Sequence, residues 1–60
     1  MSIKKNVQAM IDTLSSTMID AAKFDSGVKA AGPRVRKVMQ DIKGKAQEVR
    51  EDVSKLKNAE

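Results

Sequence analysis

The stretch Pro33-Arg-Val-Arg-Lys-Val-Met-Gln-Asp-Ile-Lys-Gly-Lys-Ala-Gln-Glu-Val-Arg-Glu-Asp-Val-Ser-Lys-Leu56 decides the fold. Its apolar residues Val35, Met39, Ile42, Ala46, Val49, Val53 and Leu56 step by four and three without a break. That spacing belongs to helices packed along a seam, whereas a half-buried strand would alternate at every second residue. Over about 26 residues such a helix is a rod of roughly 39 Å. Gly44 falls on its outer face and weakens it by about 1 kcal/mol relative to alanine.

Upstream, Ile3, Val7, Met10, Leu14, Thr17, Ala21 and Phe24 show the same alternation, and Ile11, Met18 and Ala22 widen the stripe. A stripe this wide suits a helix that touches more than one neighbour. Ser2 is a candidate N-cap. Asp25-Ser26-Gly27 reads as the break, since glycine can take the left-handed conformation that closes a helix. Gly32-Pro33 is a second break signal, with proline suited to a first helical turn. The pattern predicts helix 1 over about 3–25, a turn over 26–32 and helix 2 over 33–58, with the state of 28–31 left open. The predicted fold is all-α, a single domain over 1–60 forming an antiparallel two-helix hairpin with a coiled-coil-like seam. One hairpin leaves apolar surface uncovered, so two hairpins are expected to pair into a four-helix assembly. Val7, Met10, Ile11, Leu14, Met18, Val35, Met39, Ile42, Val49, Val53 and Leu56 are the expected core and oligomer residues.

Composition narrows the function. The 60 residues contain no cysteine and no histidine, and Phe24 is the one aromatic. Disulfides and thiolate or imidazole metal ligands are therefore excluded. There is no nucleophile–base pair and no glycine-rich phosphate loop, so neither an enzyme, a cofactor, a bound metal nor a small-molecule substrate is expected. A chain this small is marginal alone and gains stability from a partner subunit, here a homo-oligomer, dimer or tetramer. No apolar run approaches a signal peptide or a membrane span, and a cytoplasmic location is expected. Membrane-surface binding is not expected, because the polar face of helix 1 is not rich in lysine or arginine.

The net charge of +4 is unevenly placed. Residues 1–27 balance Lys4, Lys5 and Lys23 against Asp12, Asp20 and Asp25. Residues 28–45 hold Lys29, Arg34, Arg36, Lys37, Lys43 and Lys45 against Asp41 alone. Concentration of this kind points to a polyanion. With the seam at heptad positions a and d, every e position is basic: Lys29, Arg36, Lys43, Arg50 and Lys57. Such positions commonly make ion pairs between helices. Here helix 1 offers few acids, and those of helix 2 are spaced to serve their own helix, Asp41 with Lys37 or Lys45 and Glu51 with Lys55. A row left without carboxylates is a candidate for phosphates. The first-turn amides of helix 2, near Gly32–Val35 and among Lys29, Arg34, Arg36 and Lys37, are a second candidate anion site. Without aromatic platforms or a helix-turn-helix spacing, binding to double-stranded DNA is expected to read backbone and shape.

The segment Gly27-Val-Lys-Ala-Ala-Gly-Pro-Arg-Val-Arg-Lys37, followed by Met39-Gln-Asp-Ile-Lys43 and Ala46-Gln-Glu-Val-Arg50, resembles the bacterial linker-histone-like nucleoid proteins, which include the chlamydial histone-like protein and short Bacteroidetes forms. The resemblance covers about residues 24–58, and Lys29-Ala-Ala with Arg34-Val-Arg is its most specific part. It implies a nucleoid-associated, DNA-compacting protein and points to Lys29, Arg34, Arg36 and Lys37 as contacts. The chlamydial protein continues into a lysine- and alanine-rich tail that this sequence does not show, so oligomer-based bridging is expected rather than strong condensation. Pro33 also departs from the polar or small residue expected there. The competing reading is a coiled-coil structural or regulatory module whose basic row meets an acidic protein partner.

Overall fold

Ser2, in extended backbone, accepts a hydrogen bond from the Lys5 amide at 3.2 Å and starts helix α1, Ile3–Asp25. At the other end the Val28 amide donates to the Lys23 carbonyl at 2.9 Å and the Gly27 amide to the Phe24 carbonyl at 3.0 Å. These two bonds, with Gly27 at φ +104°, form a Schellman stop, which favours a residue without a Cβ. The computed structural model describes residues 2–58, so residues 1, 59 and 60 of the expected domain lie outside the described residues.

Helix α2, Ala31–Asn58, begins two residues before the expected position 33. The Ala31 amide donates to the Val28 carbonyl and the Gly32 amide to the Lys29 carbonyl, each at 3.1 Å, so the turn winds directly into the helix. Pro33 is the third helical residue, where its missing N–H is harmless. The two helices run antiparallel as an all-α hairpin measuring 50 × 15 × 13 Å.

The helices meet along one edge of their apolar stripes. On α1 the less exposed positions are Ile3, Asn6, Met10, Thr13, Thr17, Asp20 and Ala21; on α2 they include Ala31, Val35, Val38, Ile42, Ala46 and Val49. This corrects the expected seam. Val7, Leu14, Met39, Val53 and Leu56 are each about 40–50% exposed, and Val38, Asn6 and Thr13 stand closer to the contact. Only Ala31, at 0% exposure, and Thr17, at 6%, are buried among the described residues. Small side chains let the helices approach, and the Thr17 hydroxyl is satisfied by donating to the Thr13 carbonyl at 2.9 Å. Near the turn Phe24 lies over Gly32, where an added Cβ would sit 2.8 Å from the ring.

Two glycines predict opposite outcomes. A Cβ at Gly44 would meet nothing within 4 Å, so Gly44→Ala gains about 1 kcal/mol of helix propensity. Gly27→Ala forces an L-residue to positive φ and costs roughly 1–2 kcal/mol. Thermal melts followed by circular dichroism check both: each 1 kcal/mol moves the Tm of so small a domain by about 4–8 °C, upward for Gly44→Ala and downward for Gly27→Ala.

Candidate nucleic-acid interface

Residues seven apart on a helix lie nearly above one another, separated by about 10.5 Å. Arg36, Lys43, Arg50 and Lys57 occupy such a row on α2, and all four are exposed. Lys29 does not continue it, because that residue lies in the turn before α2 begins.

The acids of α2 stand away from the row for a geometric reason. Asp41 is two residues from Lys43, and Glu48 and Asp52 are each two from Arg50. A step of two turns the helix by about 200°, which sends the members of each pair to opposite sides. Glu51 instead accepts a 3.3 Å hydrogen bond from the Gln47 side-chain amide. Among the described residues one ion pair forms, Arg34 to Asp20 at 3.0 Å across the two helices. The expected pairs of Asp41 with Lys37 or Lys45, and of Glu51 with Lys55, are not made. Exposed pairs of that spacing are worth only a few tenths of a kcal/mol, too little to hold long side chains together.

Arg34 consequently serves the hairpin: its guanidinium, half-exposed, holds the α1 carboxylate of Asp20. The hydrogen bond from Arg34 draws the Asp20 carboxyl below its ordinary value of 3.8, helped by the positive charges of Arg34 and Lys23, and the Arg34 pKa rises correspondingly. The depressed carboxyl stabilises the fold above its unfolded value, and that contribution disappears as pH falls through the folded value. The Tm should therefore hold from neutral pH to about 5 and decline below about 4, and Asp20→Asn should make the decline shallower. A melt series in acid checks this.

The expected anion site at the start of α2 is corrected as well. The Ala31 and Gly32 amides already donate to Val28 and Lys29 carbonyls, and Pro33 has no N–H, so the first turn has few amides left to offer. Lys37 is exposed on the far side of α2 from the row, next to the seam side that carries Arg34.

Gly44 leaves a shallow hollow on α2 between Lys43 and Arg50, also lined by Gln40, Ala46 and Gln47. Two cations and two side-chain amides at one hollow can all donate to phosphate oxygens. Sequence reasoning missed the two glutamines, although Gln40 stands three residues before Lys43 and Gln47 four after it and three before Arg50, the spacing that puts them on the same side of the helix. It also missed Asp20 as the partner of Arg34, because that pair depends on the helix register set by the turn.

The described residues contain no His, Cys, Asp or Glu group able to hold a metal and no helix long and apolar enough to cross a membrane. The fold and its charge distribution define a small helical hairpin with one cationic edge. A family model described as histone H1-like protein Hc1 matches residues 4–59, and the chain belongs to that family. No curated protein and no solved structure matches the chain.

Proposed function

We propose that the chain binds double-stranded DNA without sequence preference, through the phosphate backbone, as a homo-oligomeric nucleoid-associated protein. Arg36, Lys43, Arg50 and Lys57 form the principal contact row, and Lys29 stands in the turn before its first member. One observation carries this reading: the row has no carboxylate partner among the described residues, with Asp41, Glu48 and Asp52 of its own helix turned to the other side and Glu51 accepting from Gln47. Each phosphate neutralised releases counterions, a strong source of affinity that is blind to sequence. Membership of a histone H1-like, non-enzymatic DNA-binding family supports the same partner. Phe24, the one aromatic, is a single half-exposed ring packed against Gly32, and one ring gives no platform for successive bases.

Titrating short duplexes of unrelated sequence in a gel-shift series tests the proposal. Similar affinities for all of them at about 50 mM salt, falling steeply as salt rises, are the expected result. Absence of a shift at that salt points to an acidic protein partner instead.

A further inference from the structure

Gln40, Gln47 and Ser54 fall between the cations of the row, so from Arg36 to Lys57 the steps run four and three throughout. The result is a second stripe on α2, in which cations alternate with neutral hydrogen-bonding side chains and no acid enters. Every member is exposed. At 1.5 Å per residue the stripe extends roughly 31 Å. Attraction by charge alone does not call for neutral donors between the cations. Directional contact with phosphate oxygens uses them, since glutamine and serine side chains donate to phosphate as lysine and arginine do.

The stripe is most developed around Gly44. Gln40, Lys43, Gln47 and Arg50 lie within an arc of about 80° around the helix axis. Together with Gly44 and Ala46 they line one hollow. Gly44 has no conformational reason to be glycine, because the glycine at positive φ is Gly27. It has no packing reason either, since a Cβ there would meet nothing within 4 Å. What a bare position on an exposed helix does allow is the close approach of another backbone. Gly44 stands between Gln40 of the turn before and Gln47 of the turn after, so its missing side chain opens the flank of the hollow.

The donors are available. The Gln40 side chain makes no hydrogen bond among the described residues. One Gln47 N–H donates to Glu51 at 3.3 Å, and the amide keeps a second. Glu51 lies toward the C-terminal end, where Gln47, Arg50, Ser54 and Lys55 share the next hollow with it. Asp41 and Glu48 are turned away from Lys43 and Arg50, so Gln40 and Lys43 face no carboxylate of α2.

We infer that the hollow at Gly44 seats a backbone phosphate of the duplex. Lys43 and Arg50 supply its positive charge, the side-chain amides of Gln40 and Gln47 donate to its oxygens, and the bare Gly44 lets the strand come against the α2 backbone. Gly44 and the two glutamines are then positioning residues for DNA, and the helix gives up some stability at Gly44 for the contact.

Resting on the DNA-binding reading above, the inference predicts a signature that charge does not give. Gln40→Met combined with Gln47→Met keeps chain length and helix propensity but removes the amides. Duplex affinity should fall about tenfold or more, as expected for two lost hydrogen bonds of ordinary strength. The slope of log affinity against log salt should stay that of the wild-type chain, because it counts phosphates neutralised by cations and these side chains are neutral. Gly44→Ala and Gly44→Leu should melt above the wild type yet bind duplex progressively more weakly. A merely structural glycine would not move stability and affinity in opposite directions. Wild-type affinity in either the glutamine variant or Gly44→Leu overturns the inference and leaves the electrostatic role of the row in place. So does a glutamine variant whose slope becomes shallower, as it would on losing a cation. A wild-type chain that shifts no duplex at about 50 mM salt removes the DNA reading itself and the inference with it.

Discussion

Changing Lys43 and Arg50 together to glutamate should lower duplex affinity by about a hundredfold or more per chain at about 0.1 M salt, while the helical signal stays intact. Two phosphate contacts at roughly 0.9 counterions each account for nearly two decades at that salt, and the new carboxylates repel phosphate besides. Neither side chain makes an ion pair among the described residues, so their loss leaves the hairpin unstrained. The matched control is Lys45→Glu with Lys55→Glu, which changes net charge equally but from the other side of α2. Binding isotherms for the two variants separate a placed row from a merely basic protein. Equal losses would mean that net charge alone governs affinity.

Ile42→Asp should unfold the chain. Ile42 stands in the middle of the α1–α2 contact, half-buried between the levels of Val38 and Val49. Truncating a packed isoleucine typically costs 2 kcal/mol or more, and placing a carboxylate in the same position adds its desolvation. Together they come to about 3 kcal/mol or more, comparable with the whole stability expected of so few residues. Loss of the helical circular-dichroism signal at room temperature is the expected readout. Ile11, on the open face, should accept the same change with helicity retained. Retention of helix by Ile42→Asp would show that the contact lies elsewhere.

The alternation of four and three made the two helices and their antiparallel return readable before any coordinates, because packing along a helix depends on that period alone. It could not say which edge of a wide stripe the partner helix takes. Met39 fits the period as well as Ile42 does, yet the contact uses Val38 and small or polar residues of α1 such as Thr13 and Thr17, while Val53 and Leu56 keep the contact face, 18 residues on from Val35 and Val38, but lie level with or beyond the start of α1. Close approach of two helices selects small side chains, and hydropathy does not register that preference. The row Arg36, Lys43, Arg50 and Lys57 was legible because it follows from heptad position. Arg34 was not separable from it, since its engagement with Asp20 depends on helix register across a turn whose length depends on where α2 begins. The amides of the first turn were misjudged for a related reason: the start of α2 at Ala31 gives the Ala31 and Gly32 amides acceptors within the turn.

The salt dependence of duplex affinity, measured side by side for the wild-type chain and for Lys43→Gln with Arg50→Gln, bears most directly on the cationic row. If those two side chains neutralise phosphates, the slope of log affinity against log salt should become shallower by about 1.8 per chain. Identical slopes for the two proteins would mean that the row does not touch DNA.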